Sequence, residues 1–360
     1  MQSLFGKTLE ELEQIISDLK QPRFVAKQLA QWLYEKRVTE FAEMTNLSLK
    51  LRTSLQDNYT IGRYAPIKYA QSTDGTKKYL FKVAENQFVE TVYLPENDRH
   101  TLCISTQAGC KMGCAFCMTG TLGFHGNLTA GEILNQIYSI PESKLITNIV
   151  VMGEGEPCDN IDNVLTALKI LTSGYALAWS PKRITVSSVG YVPGLRRLLE
   201  ETDCHIAISL HNPIARERAE IMPIEKRYPI EQVVQLLRQY DFAHQRRLSF
   251  EYICFHGQND TIRYANALRK LLNGLPSRVN LIKFHQTESN IHTTTASELC
   301  SSDEQQMLWL RDYLTDSGIT CTIRRSRGED ILAACGMLVN ALTGHPNEGK
   351  NLKNDNNKIT

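Results

Sequence analysis

Along the first sixty residues, apolar positions recur at helical spacing. Leu9, Leu12, Ile15, Ile16 and Leu19 share one face, and Thr8 with Glu11 has the pattern of a capping box just before them. Val25, Leu29, Trp32 and Leu33 suggest a second helix, and "LSLKLRTSLQ" a third. The period then changes. "PIKYAQSTDGTKKYLFKV" reads as a hairpin turning at Asp74-Gly75, followed by a strand "FVETVYLP". From residue 101, apolar β-branched runs occur at "TLCIST", "TNIVVM", "RITVSS", "HIAISL", "LSFEYICF", "VNLIKF" and "CTIRR". Most are followed by a helical pattern, such as Ile161, Val164, Leu165, Leu168 and Leu171 after "IVVM". Strands alternating with helices predict parallel β structure with right-handed crossovers. Six or seven such units are too few for a closed eight-fold barrel. The expected fold is therefore α/β, a partial (βα)6 TIM-like barrel.

This pattern divides the chain into a helical accessory domain over 1–60, a β linker or extension over 61–100, a barrel core over 101–342 and a tail over 343–360. The tail carries "HPNEGKNLKNDNNKIT", too poor in apolar residues to pack, and is expected to be disordered. Charge adds little: 40 basic against 39 acidic residues leave a formal +1, so any RNA contact must come from local patches. The N-terminus has no apolar run of signal-peptide length and no later stretch approaches a membrane span, which predicts a cytoplasmic protein without a membrane partner. No heptads suggest a coiled-coil dimer, so a monomer is expected. In that compartment ten cysteines point to metal binding or chemistry rather than a disulfide framework.

Chemistry in βα barrels collects at the C-terminal ends of strands. The unusual segments fall there in series: a cysteine cluster after the first run, "GEGEP" (153–157) after the second, Ser187 and Ser188 after the third, Ser209-Leu210-His211 after the fourth and His285 after the sixth. The cluster, "CKMGCAFC", sets Cys110, Cys114 and Cys117 at C-x3-C-x2-C spacing. Soft donors this close suit a cubane iron–sulfur cluster in which three thiolates leave the fourth iron open. Zinc is the alternative; it needs a fourth ligand, and no second CxxC-like knuckle exists.

The motif, with Phe116 before its last cysteine, resembles the radical S-adenosylmethionine (SAM) superfamily, in which the open iron is chelated by the amino and carboxylate groups of SAM. "LCISTQAGCKMGCAFCMTGTLGF", "GEGEP", "ITVSSVGYVPGL", "ISLHNP", "MPIEKRYPI" and "RGEDILAACG" together resemble the RlmN/Cfr family of RNA adenine methyltransferases, in the family's order over most of residues 86–340. The resemblance implies a radical SAM barrel, a [4Fe-4S] cluster held by Cys110, Cys114 and Cys117, and SAM as cofactors. It also implies 23S rRNA and tRNA as substrates and an electron donor such as flavodoxin or ferredoxin. "GEP", rather than "GEA", favours the RlmN branch, which acts at carbon 2, over Cfr, which acts at carbon 8.

Carbon 2 of adenine lies between two ring nitrogens and is electron-poor, so a polar methyl transfer fails where radical addition succeeds. The resemblance implies two SAM molecules: one methylates a cysteine, and the other yields a radical that takes hydrogen from that methyl so that the carbon attacks the base. Matched residue by residue, Cys335 carries the methyl and Cys103 resolves the adduct through a transient disulfide with it. Glu90 is the proton acceptor. Gly155, Glu156, Ser187, Ser209, Leu210, His211 and His285 match SAM contacts. Cys158, Cys204, Cys254, Cys300 and Cys321 default to packing.

Two departures stand out. Relatives usually read "MGMGEP", so Glu154 adds a charge beside the cofactor, and His285 replaces an asparagine found in many of them. For RNA, the candidate phosphate contacts are Arg216, Arg218, Lys226, Arg227, Arg246, Arg247, Arg324, Arg325 and Arg327, with Lys20, Arg23, Lys27, Lys36 and Arg37 as a possible docking surface. Three alternatives stay open: a Cfr-like carbon-8 enzyme, another radical SAM reaction such as activase or sulfur insertion, and a non-enzymatic metal-cluster RNA-binding module.

Overall fold

The computed structural model describes residues 1–244, 246–285 and 299–338. The expected tail therefore lies outside the described residues. Its main sheet has ten strands, and their spatial order follows the chain. They are β1 (Lys68–Gln71), β2 (Lys77–Ala84), β3 (Gln87–Glu96), β4 (Arg99–Cys103), β5 (Asn148–Val151), β6 (Ile184–Ser188), β7 (His205–Ser209), β8 (Leu248–Cys254), β9 (Arg278–Lys283) and β10 (Thr320–Ile323). β1 to β4 run antiparallel, β4 to β10 parallel, and β4 joins the two halves: Cys103 pairs with Val92 on one side and Val150 on the other.

The parallel strands are covered by helices, and their sequences accordingly run apolar without strict alternation; β8 is buried at every position. Helices Ala130–Tyr138, Ile161–Thr172, Val192–Glu201, Ile230–Leu237, Ile262–Leu272 and Glu304–Asp316 fill the six crossovers from β4 to β10. This is the partial (βα)6 barrel expected, ended by a seventh parallel strand.

Because β10 does not pair with β4, one side of the barrel is open, and residues 327–338 cross it. They are fastened to the β1–β2 hairpin by Arg327 Nη2 to the Asp74 carbonyl (2.9 Å), Gly328 N to Asp74 Oδ2 (3.0 Å) and Lys78 Nζ to the Leu332 carbonyl (3.2 Å). Burial alone would raise Asp74, but hydrogen bonds from Thr76 and Gly328 outweigh it and hold the carboxyl well below its ordinary value.

The N-terminal helices form as the pattern predicts. Thr8 and Glu11 close a reciprocal capping box on Leu9–Asp18, and Ser48 caps Leu49–Asn58. Phe24–Ala30 runs into one wide turn, Gln31–Glu35, that buries Trp32, Leu33 and Tyr34. This region shares one apolar core with the barrel helices. Phe5 meets Tyr138 edge-on at 5.1 Å, and Gly6, at φ +93°, approaches Gly131 so closely that a Cβ there would stand 2.3 Å from the Gly131 nitrogen.

Several cations expected on an RNA-facing surface are structural instead. Arg218 is fully buried; it donates to the carbonyls of Leu210, Val189 and Ser209 and pairs with buried Glu225. A guanidinium has five donors in a fixed fork, which is what three converging carbonyls at the ends of β6 and β7 require. Arg246 is buried and bonded to the Leu199 carbonyl, and Arg327 serves the Asp74 clamp. Of the cysteines assigned to packing, Cys158, Cys204, Cys254 and Cys321 are buried, whereas Cys300 is exposed. Among the described residues no helix is long and apolar enough to cross a membrane.

Replacing Arg218 by Met leaves the Glu225 carboxylate buried without its partner. The variant should lose roughly 3–5 kcal/mol of unfolding free energy in a denaturant titration. A loss below about 1 kcal/mol, typical of an exposed pair, would show that Arg218 does not hold the strand ends together.

Candidate active site

The segment after β4, Ile104 to Gly109, organises the mouth of the barrel. Ser105 Oγ donates to the Glu90 carbonyl (2.6 Å) and accepts from Glu154 N (2.9 Å), while its backbone is held from both sides by the Gln136 amide. Gln107 Oε1 accepts from Glu156 N at 2.9 Å. The "GEGEP" turn is thus laid directly on this segment. A Cβ on Gly155, at φ +93°, would stand 2.5 Å from that of Gln107, so only glycine allows the approach.

The cysteine loop follows. Cys110, Cys114 and Cys117 lie within electrostatic reach of one another, and burial pushes Cys110 up to about 12 and both Cys114 and Cys117 upward. Met112, Phe116, Ile221, Met222 and Phe255 form a separate apolar cluster over the loop. Phe116 meets the His211 ring edge-on at 4.5 Å. Among the described residues, no three His, Cys, Asp or Glu close tightly enough to hold a single metal ion. Three neighbouring thiols are the soft donor set that an iron–sulfur cluster takes. The apolar cover suits it as well, since it excludes water from the sulfurs.

The segment carrying Cys335 is tied to this loop. Met118 N donates to the Gly336 carbonyl (2.8 Å) and Thr119 Oγ1 to the Leu338 carbonyl (3.1 Å). On the other side, Cys103 packs with Val92, Ala333 and Leu338. Cys335 is solvent-accessible, yet enough protein surrounds it that burial, then the Glu251 charge, push its thiol up to about 11. Burial and then Cys335 push Cys103 up to about 12.

The disulfide implied between these two cysteines is absent: all ten cysteines are free thiols. The two sulfurs do not stand at disulfide distance in this structure.

Glu90, expected as a proton acceptor, is fully buried on β3 and pairs with equally buried Lys78 at 3.0 Å. Its backbone N–H donates to Glu154 Oε1 at 2.7 Å. Glu154 does not add the expected charge. Burial first, and Glu90 second, push it up to about 8, so it is mostly protonated at neutral pH. Glu156 is buried too; its two oxygens accept from Cys158 N (3.0 Å) and Val189 N (2.9 Å), joining the turn to the end of β6.

Ser187 and Ser209 stand half-buried at the ends of β6 and β7, while Leu210 is fully buried. His211 has a left-handed backbone (φ 52°), and its Nδ1 accepts from Ile253 N at 3.0 Å. Burial, then Arg218, lower it to about 3; the ring is a neutral imidazole whose Nε2 carries the proton. His285 lies farther round, bonded to Ser326 Oγ at 2.7 Å and 3.6 Å from Glu329.

Sequence reading missed two buried polar groups here. Lys78 was taken as part of a hairpin. Glu251, on β8, is hydrogen-bonded by Ser249 (2.9 Å) and Asn280 (2.8 Å) and faces Arg324 at 3.5 Å. The signal existed: a lone carboxylate inside an otherwise apolar strand is unusual unless it is partnered.

Residues 2–61 match the family model described as the ribosomal RNA large subunit methyltransferase N-terminal domain, and residues 104–265 that of the radical SAM superfamily. The chain is 56% identical over 338 residues to a probable dual-specificity RNA methyltransferase RlmN of Bacteroides thetaiotaomicron, covering 94% of this chain and 96% of that protein. The chain belongs to the RlmN family. A dual-specificity RNA methyltransferase RlmN of Syntrophotalea carbinolica is 40% identical, with 94% and 90% covered. The crystal structure of a radical SAM methyltransferase from Sphaerobacter thermophilus superposes with a TM-score of 0.86 at 35% identity, covering 94% of this chain and 99% of that one. Membership of the RlmN family makes this protein a radical SAM RNA methyltransferase, an enzyme.

Glu154 gives a pH prediction. Its folded-state value lies above the unfolded one, so its contribution to stability is complete below about 4.5 and is lost as pH rises through about 8. Glu154→Gln removes that loss. The difference in melting temperature, variant minus wild type, should grow between pH 5 and 8; a constant difference would mean that Glu154 is already ionised in the fold.

Proposed function

We propose that this enzyme methylates carbon 2 of adenosine 2503 in 23S rRNA, and of adenosine 37 in some tRNAs, through a methylated Cys335. The observation that supports it most is the attachment of the Cys335 segment to the cysteine loop by the hydrogen bonds from Met118 and Thr119, which keeps an accessible thiol beside the three cysteines. Cys110, Cys114 and Cys117 would hold a [4Fe-4S] cluster. With SAM bound, that cluster supplies the one-electron chemistry an electron-poor ring carbon requires.

The remaining work falls to the chain. Glu156, fixed by two backbone N–H groups, receives the ammonium end of SAM at a turn where Gly155 leaves room. Ser187, Ser209 and Leu210 line its far side, His211 offers a neutral Nε2–H and His285 closes the row. Glu90 takes the proton from the base, with Lys78 beside it to stabilise the carboxylate between turnovers. Cys103 is the thiol that frees the product. The target adenosine must leave its stack to reach Cys335, and the 1–60 region docks the surrounding RNA. Such a reaction places the enzyme in the cytoplasm, where a flavodoxin- or ferredoxin-like protein would supply electrons.

Two measurements test this reading. Protein made in cells with SAM and purified without oxygen should be coloured, contain iron and carry one extra methyl group on the peptide holding Cys335; Cys114→Ser should lose the iron. Mass mapping of rRNA from cells with and without the gene should show one adenosine losing a methyl at carbon 2. Unmodified Cys335 in iron-loaded protein would point to another radical SAM reaction, and loss of a carbon-8 methyl to a Cfr-like enzyme.

A further inference from the structure

At the opposite end of the barrel from the cysteines, where the parallel strands begin, lies an open basin of about 730 Å³. Arg99, Lys182, Arg183 and Arg247 line it with the half-buried His205. An arginine opens β4 and β9 (Arg99, Arg278), and another immediately precedes β6 and β8 (Arg183, Arg247). Strand pairing brings these starts side by side, with Thr185 opposite His205 and Ile206 opposite Leu248. The four lining cations are exposed, and among the described residues none has a carboxylate within 4.0 Å. His205 accepts from Arg247 N at its Nδ1 (3.0 Å), which leaves Nε2–H as a neutral donor.

Glu96 ends β3 and Asp98 lies on the turn to β4; they are the only acids among the described lining residues, so that lining is net positive, with three of its cations, Lys182, Arg183 and Arg247, outside that turn. Arginines that merely guard strand ends would point apart and be solvated singly. Here they converge on one concavity, where their mutual repulsion calls for an anion. The lining holds no aliphatic side chain and no aromatic ring but the imidazole of His205. It offers nothing to cover an apolar ligand, and guanidinium and ammonium groups around an open basin match a phosphate chain.

We propose that this basin binds the phosphodiester backbone of the RNA substrate at a point remote from the reacting adenosine, as a sequence-independent second contact. The proposal rests on the reading of the chain as an RNA methyltransferase. It gives the enzyme two grips on one long RNA: a base-specific one at the cysteine end and an electrostatic one at the far end.

The test compares wild type with Lys182→Gln/Arg247→Gln, using an rRNA domain that contains the peptidyl-transferase loop. Neither residue belongs to the catalytic end, and both are exposed, so fold is checked by an unchanged melting temperature; Lys182→Glu alone, on a short surface turn, serves as a second variant. Each lost phosphate contact flattens the dependence of log Kd on log salt by about 0.7–0.9. The double variant should therefore flatten it by roughly 1.5 and raise Kd about ten- to thirtyfold at physiological salt, with KM raised and kcat unchanged.

Equal Kd and salt slope in both proteins, with both methylating the RNA, would overturn the second contact and leave the methyltransferase reading intact. Wild type that neither binds nor methylates RNA overturns both. If inorganic tripolyphosphate binds wild type but not the double variant, and RNA does not displace it, the basin serves a free oligophosphate and the RNA proposal falls.

Discussion

The contact on which the site depends is the ion pair between Lys78 and Glu90, both withdrawn from water on neighbouring antiparallel strands. A pair buried this deeply adds little net stability, because desolvating two charges offsets their attraction. What it fixes is position. Lys78 spends a further donor on the Leu332 carbonyl, and the backbone of Glu90 holds the Glu154 carboxyl. The ammonium group joins β2, β3 and the segment bearing Cys335, and the Glu90 backbone adds the turn after β5 to the same arrangement. Apolar residues at these places could pack as tightly, but they would not fix direction.

The architecture was legible because it rests on periodicity. Every apolar run from "TLCIST" to "CTIRR" became a strand in the order read, and the capping box of Thr8 and Glu11 formed as its spacing demanded. The cysteine triplet and "GEGEP" were visible because local spacing carries their chemistry. What sequence could not reveal was long-range pairing. Arg218 looks like its neighbour Arg216 along the chain, yet three carbonyls and Glu225 capture it in the interior. Glu154 was read as a charge because its neighbour across the sheet, Glu90, lies 64 residues away. Lys78 was hidden for the same reason: its partner Glu90 comes from the next strand, and nothing beside Lys78 along the chain shows that it will be buried.

The two ends of the barrel divide the physical work. At the cysteine end, charge is rationed: Glu154 is mostly protonated and His211 neutral near pH 7, and apolar side chains keep water from the loop. A low-dielectric site of this kind protects reactive species and strengthens the few polar contacts that remain. At the strand-start end the opposite holds, with exposed guanidinium and ammonium groups around an open basin. Keeping strong fields away from the thiols lets one scaffold carry both.

The stretch from Arg327 to Leu338 has an implication for biosynthesis. Its anchors lie 219 to 257 positions earlier in the polypeptide, at Asp74, Thr73, Lys78 and Thr119. A nascent chain can therefore complete the N-terminal helices, the edge hairpin and nearly all the βα units before its last nucleophilic sulfur leaves the ribosome. Until translation reaches that point the hairpin at Asp74 and the loop at Thr119 lack their last partner, so this side of the barrel is the last to be fastened.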